Sequence, residues 1–237
     1  AGLMLSGVLA TIFVFVVAVY FQAMKVEIPL SFGRVRGQGI RWPLNFLYTS
    51  NIPVILVAAL MANVQLWARL LQNWGHPWLG TFSGNAPVSG LVSWLFSPNI
   101  VGSAIKGSLN FGQIAQAMVY MVFMMGGAVL FSWFWMQTAG MDSKSQAKQI
   151  KSSGLQIPGF RKDQRVLEKL LNRYIVPLTI MGGLSVGFLA AVADVSGALV
   201  QGTGILLAVM IIYRLYEEIA QQHMMDMNPM MRKFMEH

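Results

Sequence analysis

Long apolar blocks without a formal charge organise this chain. Residues 1–24, 42–68, 107–141, 174–193 and 195–213 hold no Asp, Glu, Lys or Arg. A helix needs about 20 apolar residues to cross roughly 30 Å of hydrocarbon. The blocks therefore predict five membrane-spanning helices, over 1–24, 48–70, 113–138, 174–195 and 202–222. A short turn around Ser196–Gln201 makes the last two a tight hairpin. Between the spans lie loops at 25–47, 71–112 and 139–173, with a tail at 223–237. The expected fold class is all-α, a polytopic membrane helix bundle.

Composition agrees. The chain is 55% hydrophobic and 11% charged, against about 25% charged in a soluble domain, so a soluble enzyme is excluded. Of its charges, 17 are basic and 9 acidic. The 25–47 loop carries Lys25, Arg34, Arg36 and Arg41 against Glu27. The 139–173 loop carries Lys144, Lys148, Lys151, Arg161, Lys162, Arg165, Lys169 and Arg173 against Asp142, Asp163 and Glu168, whereas 71–112 holds only Lys106. The excess of Lys and Arg on the cytoplasmic side places both basic loops and the C-terminal tail in the cytoplasm, and the first residue outside. The chain opens Ala1-Gly2-Leu3-Met4, already inside an apolar run, which reads as the second part of a longer polytopic protein. There is no cysteine, so disulfides, thiolate zinc sites and a cysteine nucleophile are excluded. His76, His223 and His237 are too scattered to suggest a metal site, and no cofactor is expected.

The outer segment 71–112 is rich in Gly, Ser, Pro and Trp. Trp74, Trp78 and Trp94 suit the headgroup interface, and Val88–Phe96 is too short to span. In the first basic loop, Gly33, Gly37 and Gly39 mark tight turns that push Arg34 and Arg36 out as a hairpin tip, where guanidinium forks suit phosphate. Topology alone also accounts for basic loops of this kind. In the second, Gly154, Pro158 and Gly159 divide two helix-like halves, and Arg161 projects at the bend. Polyanionic RNA and anionic lipid headgroups are the two partners such loops could bind. Asp194, near the outer turn, is read as a solvated interfacial carboxylate. Asn63, Gln65, Gln116 and Gln137 are amides that can join helices. Pro53 and Pro177 bend or initiate their helices, and Gly183-x-x-x-Gly187 permits close helix approach. The methionines Met224, Met225, Met227, Met230 and Met231 cluster in the tail.

The run Pro43-Leu44-Asn45-Phe46-Leu47-Tyr48-Thr49-Ser50-Asn51-Ile52-Pro53-Val54-Ile55-Leu56 closely resembles the seventh span of the SecY family in its archaeal and eukaryotic form. Gly33-Arg34-Val35-Arg36-Gly37-Gln38, Ile157-Pro158-Gly159-Phe160-Arg161, Gly202-Thr203-Gly204-Ile205-Leu206-Leu207 and Tyr213-Arg214-Leu215-Tyr216-Glu217 follow in the family's order. The resemblance covers nearly the whole chain and implies the family's sixth to tenth spans, one half of a ten-span channel. It implies a protein-conducting channel, not an enzyme, that passes unfolded secretory chains across the membrane and releases transmembrane segments sideways through a lateral gate. Ile55 and Leu207 match pore-ring positions, and Asn63 matches a polar position on the gate, which the second and third spans would line. Arg34, Arg36 and Arg161 match ribosome-docking positions, joined on the basic loops by Lys148, Lys151, Lys162 and Arg165. The implied partners are the N-terminal half, the small single-span subunits of SecE/gamma and beta type, the ribosome with its rRNA, nascent signal sequences and secretory chains, and membrane lipids. The implied location is the archaeal cell membrane or the endoplasmic reticulum membrane. Two alternatives remain open from the residues: half of a secondary transporter, and a structural membrane scaffold.

Overall fold

The computed structural model describes residues 2–32, 39–49, 51–84, 86–152, 155–156 and 164–227. Among the described residues, five long helices form the body: α1 (Gly2–Ala23), α2 (Ile52–Asn73), α5 (Phe111–Thr138), α7 (Gln164–Ser196) and α8 (Gly202–Met227). The short helices are α3 (Leu91–Trp94), α4 (Ile100–Ile105) and α6 (Ser143–Ser152). Strands β1 (Lys25–Phe32), β2 (Gly39–Asn45), β3 (Thr81–Ser83), β4 (Ala86–Ser89) and β5 (Leu155–Gln156) complete the order. The bundle is mostly α, as expected, and the strands are confined to the connections.

By length and composition, four helical segments among the described residues suffice to cross a membrane: Met4–Ala23, Ile52–Asn73, Phe111–Ser152 and Arg165–Ser196. In α8, Arg214, Glu217 and Glu218 follow an apolar first half. The four segments differ in how much of their apolar surface the bundle covers. The α7 window is 56% buried and the α1 window 17%, so α7 is the central helix and α1 a peripheral one. Met4, Leu5, Leu9, Ile12, Phe13 and Val16 on α1 stay exposed. Such a face needs an apolar surrounding.

The central packing depends on missing side chains. A Cβ on Gly183 would lie 3.1 Å from the Val129 Cα, and one on Gly187 would lie 2.9 Å from the Met125 Cα. Gly183-x-x-x-Gly187 is thus the seam along which α7 meets α5, opposite buried Ala128 and Ser132, as small-residue interfaces in membranes allow. Pro177 sits inside α7, where it lacks the N–H that would close the preceding turn.

Polar connections gather at the two ends. At one, β1 and β2 pair antiparallel from Lys25↔Asn45 to Ser31↔Gly39. Strand β5 adds through Ser31↔Gln156 and Phe32↔Leu155, giving the order β2-β1-β5. Pro43 lies on the edge strand β2, where a missing N–H does least harm. The Lys25 Nζ meets Glu217 Oε1 at 2.5 Å, tying the hairpin base to α8. That hydrogen bond, supported by the Glu217 charge, holds the Lys25 ammonium above its ordinary value near 10.5. A cation whose pKa rises on folding stabilises the fold below its unfolded value and loses the effect as pH climbs through the folded one. Lys25→Met is therefore expected to lower the melting temperature more at pH 8 than at pH 11, above the ordinary lysine value. An equal gap at both values in paired thermal melts would remove the ion pair from the account. At the other end, Gln72 holds the β3–β4 hairpin through both backbone groups of Phe82, accepting at 2.7 Å and donating at 3.2 Å. Gln116 donates to the carbonyls of Ser93 and Phe96 at 2.5 and 3.0 Å. It thus fixes the short α3 segment to α5.

Candidate functional site

The helix of the second apolar block starts later than its apolar run. Leu44, Phe46, Leu47, Tyr48, Thr49 and Asn51 are all buried ahead of Ile52, so α2 begins within the molecule and not at its surface. Pro53 explains the start, since a proline in the first turn needs no N–H partner and has its φ preset for a helix. Irregular backbone at this depth must find partners inside the protein. The Thr49 hydroxyl donates to the Ser132 hydroxyl of α5 at 3.2 Å, and the Tyr48 hydroxyl donates to the Met141 carbonyl at 2.7 Å. Phe46 backs onto Gly182, where a Cβ would stand 2.9 Å from its carbonyl oxygen.

Asn51, the residue before α2, crosses to α8. Its Nδ2 donates to the Leu206 carbonyl oxygen at 2.6 Å, and it makes no side-chain capping bond to its own helix. Ile55 lies one turn further along α2 and Leu207 is the next residue of α8, and both are half-buried. The two expected pore-ring residues thus flank one buried interhelical bond. Asn63 is exposed two turns beyond Ile55. The sequence reading passed over Asn51. An amide before Ile-Pro signals a helix N-terminus, but a partner 155 positions away leaves no local mark.

A second constellation lies at the end bearing α3. Asp194 was expected to be solvated, and the structure corrects this. Its Oδ2 accepts from the Tyr120 hydroxyl and its Oδ1 from the Gly202 N–H, both at 2.7 Å. One carboxylate therefore links α5, α7 and the first residue of α8. It faces a cavity of about 430 Å³ lined also by Gln65, Tyr120, Gln201 and Thr203. The turn after it is short because Gly197 takes φ 70°, a left-handed conformation that closes helices.

At the basic end, Arg34, Arg36, Arg161 and Lys162 lie outside the described residues. The strands that precede them in sequence are described, and β5 pairs with the end of β1 through Ser31 and Phe32. Lys148 and Lys151 are exposed on α6, whose Ala147 and Ile150 are buried. Lys144 falls on the same stripe as these lysines by its helical spacing. Arg165 is exposed in the first turn of α7, which starts ten residues before the expected 174–195 span. Two loops far apart in sequence thus form one sheet-bearing face. Among the described residues no cluster of three His, Cys, Asp or Glu could hold a metal.

The SecY family model matches residues 2–216. The chain belongs to the SecY family. It is 48% identical over 229 residues to the protein translocase subunit SecY of Pyrococcus furiosus, covering 96% of this chain and 47% of that protein. It is 45% identical to its Methanococcus vannielii counterpart, covering 96% and 50%. It therefore spans about half the length of these SecY relatives. Among solved structures, one described as a protein conducting channel matches with TM-score 0.76 at 43% identity over 93% of this chain and 50% of that one. A SecY structure concerned with the plug domain and the closed state matches with TM-score 0.78 at 42% identity, over 95% and 51%. The yeast Ssh1 complex bound to the 80S ribosome shares the fold, with TM-score 0.64 at 19% identity over 91% and 45%. A membrane protein of the SecY family accounts for the exposed apolar helix faces.

Proposed function

We propose that this chain forms one half of a protein-conducting channel, which passes unfolded secretory chains across a membrane and releases transmembrane segments sideways into lipid. The observation that carries this reading is the family match over residues 2–216 together with the likeness to a solved protein conducting channel. In this reading the five helices are the family's sixth to tenth spans. Ile55 and Leu207 belong to the central constriction, and α2 and α5 line the gate, with Asn63 on its surface. Asn63 is exposed on this half, so a hydrogen bond from its amide across the gate would have to change when the helices part, and Asn63 would tune the opening. The N-terminal half, the single-span SecE/gamma and beta subunits, nascent chains and lipids complete the assembly. The basic loops and the C-terminus face the cytoplasm, by the charge asymmetry, in an archaeal type of cell membrane.

The ribosome is the partner of the basic face. Support comes from its sheet, which brings the stems of the Arg34–Arg36 tip and of the Arg161 loop together, and from the exposed Lys148 and Lys151. Each phosphate neutralised adds a salt-dependent term to affinity, so reversing Arg34, Arg36 and Arg161 to Glu should flatten the slope of log K against log salt by about 2 to 3. A titration of ribosomes against the assembled complex that shows the same affinity and slope for both would sink the docking assignment. Passage itself is tested by translocation of a secretory precursor into vesicles holding the complex; no passage above empty vesicles would overturn the channel reading.

A further inference from the structure

The Asn51 amide is held at an apparent disadvantage. It is 2% exposed, gives no cap to the helix it precedes, and its Oδ1 is buried without a hydrogen-bond partner. A buried acceptor lacking a donor lowers stability. An apolar side chain of the same size would avoid that loss, so packing alone does not explain an amide here. Its donor side does one specific thing: Nδ2 reaches the Leu206 carbonyl at 2.6 Å. In a helix that oxygen already accepts from the fourth residue on, and its second lone pair takes the amide. The contact therefore ties the first turn of α2 to the backbone of α8 and not to a side chain that could swing away. Leu206 is itself buried, 1% exposed, which keeps water from substituting for the bond.

We propose that Asn51 is a positioning residue for the constriction: the buried Asn51 Nδ2 to Leu206 carbonyl bond sets how Ile55 on α2 and Leu207 on α8 face one another. The proposal rests on the reading of Ile55 and Leu207 as constriction residues. The backbone carbonyl of Asn51 accepts from the Ile55 N–H at 3.3 Å, so Ile55 is fixed one hydrogen-bonded turn from the anchor. Leu207 follows the accepting residue directly. Any slide or rotation of α2 against α8 must stretch this bond before it moves either side chain. A hydrophobic constriction excludes ions by shedding water, so its seal depends on how closely its side chains are held.

The test uses the complete translocase, with its other half and small subunits, in planar bilayers without substrate. Asn51→Leu removes the donor and the unpartnered acceptor while keeping the branched shape of the side chain, and Asn51→Ser keeps a shorter polar group that cannot overpack. The chain has no cysteine, so spin labels on Ile55→Cys and Leu207→Cys report their separation against a background free of other thiols in this chain. The expected result for Asn51→Leu is an unchanged or higher melting temperature, a broadened label distance, and a resting ion conductance raised by about tenfold or more, as a lowered barrier of about 1.4 kcal/mol would give. If both variants leave conductance and distance unchanged while Ile55→Ser raises conductance, the constriction stands and the positioning role is overturned. If Ile55→Ser also changes nothing, both fall together. Where Asn51→Leu does not assemble, the same conductance and distance readings on Asn51→Ser decide.

Discussion

Gly202→Ala is expected to destabilise the assembled protein by about 3 kcal/mol or more, the upper end for forcing a group into a filled interior. The first residue of α8 lies against the backbone of α7. A Cβ there would stand 2.2 Å from the Ala190 carbonyl oxygen and 2.7 Å from its Cα. Backbone atoms of a central helix cannot turn aside as a side chain can, so α8 itself must withdraw. Withdrawal stretches the Gly202 N–H bond to Asp194 and acts on the Leu206 carbonyl one turn on, where Asn51 is held. The predicted effect is thus larger than one methyl group's volume suggests. Thermal unfolding of the purified complex in lipid checks it, with Gly126→Ala alongside. Nothing lies within 4 Å of a Cβ on Gly126, so there the gain in helix propensity, up to about 1 kcal/mol, is the only expected change. Equal melting temperatures for Gly202→Ala and the parent would refute the close α7–α8 approach.

The same comparison shows what the amino-acid pattern can carry. Each of the five apolar blocks overlaps a long helix. Only four helical segments among the described residues are long and apolar enough to cross a membrane, and α8 is not one of them. A continuous apolar run is a property visible locally. Helix starts were less legible where tertiary contacts override that property. The expected span at 48–70 starts four residues ahead of α2, because Tyr48, Thr49 and Asn51 are buried without helical order, and only Pro53 hinted at the later start. The reverse holds for α7, whose polar first turns from Gln164 form a helix ahead of the expected span. Asp194 was misjudged as solvated because its acceptor role depends on Tyr120, 74 positions away. Strand β5 spans two residues, too few for any periodicity, yet it unites the two basic loops. Gly183-x-x-x-Gly187 was read correctly as a permissive seam, while the tighter approach at Gly202 had no motif to mark it. The family's motifs in order supplied what spacing could not: which of many apolar residues, Ile55 and Leu207 among them, to single out.

Those two residues carry the largest expected functional effect. Ile55→Ser combined with Leu207→Ser should raise the resting ion conductance of the complete translocase by about tenfold or more. A branched alkyl wall offers water no hydrogen bonds, so a narrow ring of such side chains stays dry and ions must shed their hydration to pass. Each hydroxyl introduced recovers part of that bonding, on the order of 0.5–1.5 kcal/mol for a single hydrogen bond, and about 1.4 kcal/mol lowers a barrier tenfold in rate. Two substitutions together therefore reach a tenfold change. Serine is also smaller than either side chain, so the opening widens as it becomes wetter. Ile12→Ser on the peripheral helix α1, where Ile12 is 54% exposed, should leave conductance unaltered, which separates a local effect on the constriction from general leakiness. Should the double variant conduct no better than the parent, Ile55 and Leu207 do not form the seal. The Asn51 bond would then be an interhelical contact with no bearing on permeation, while the helix bundle and its family membership would stand.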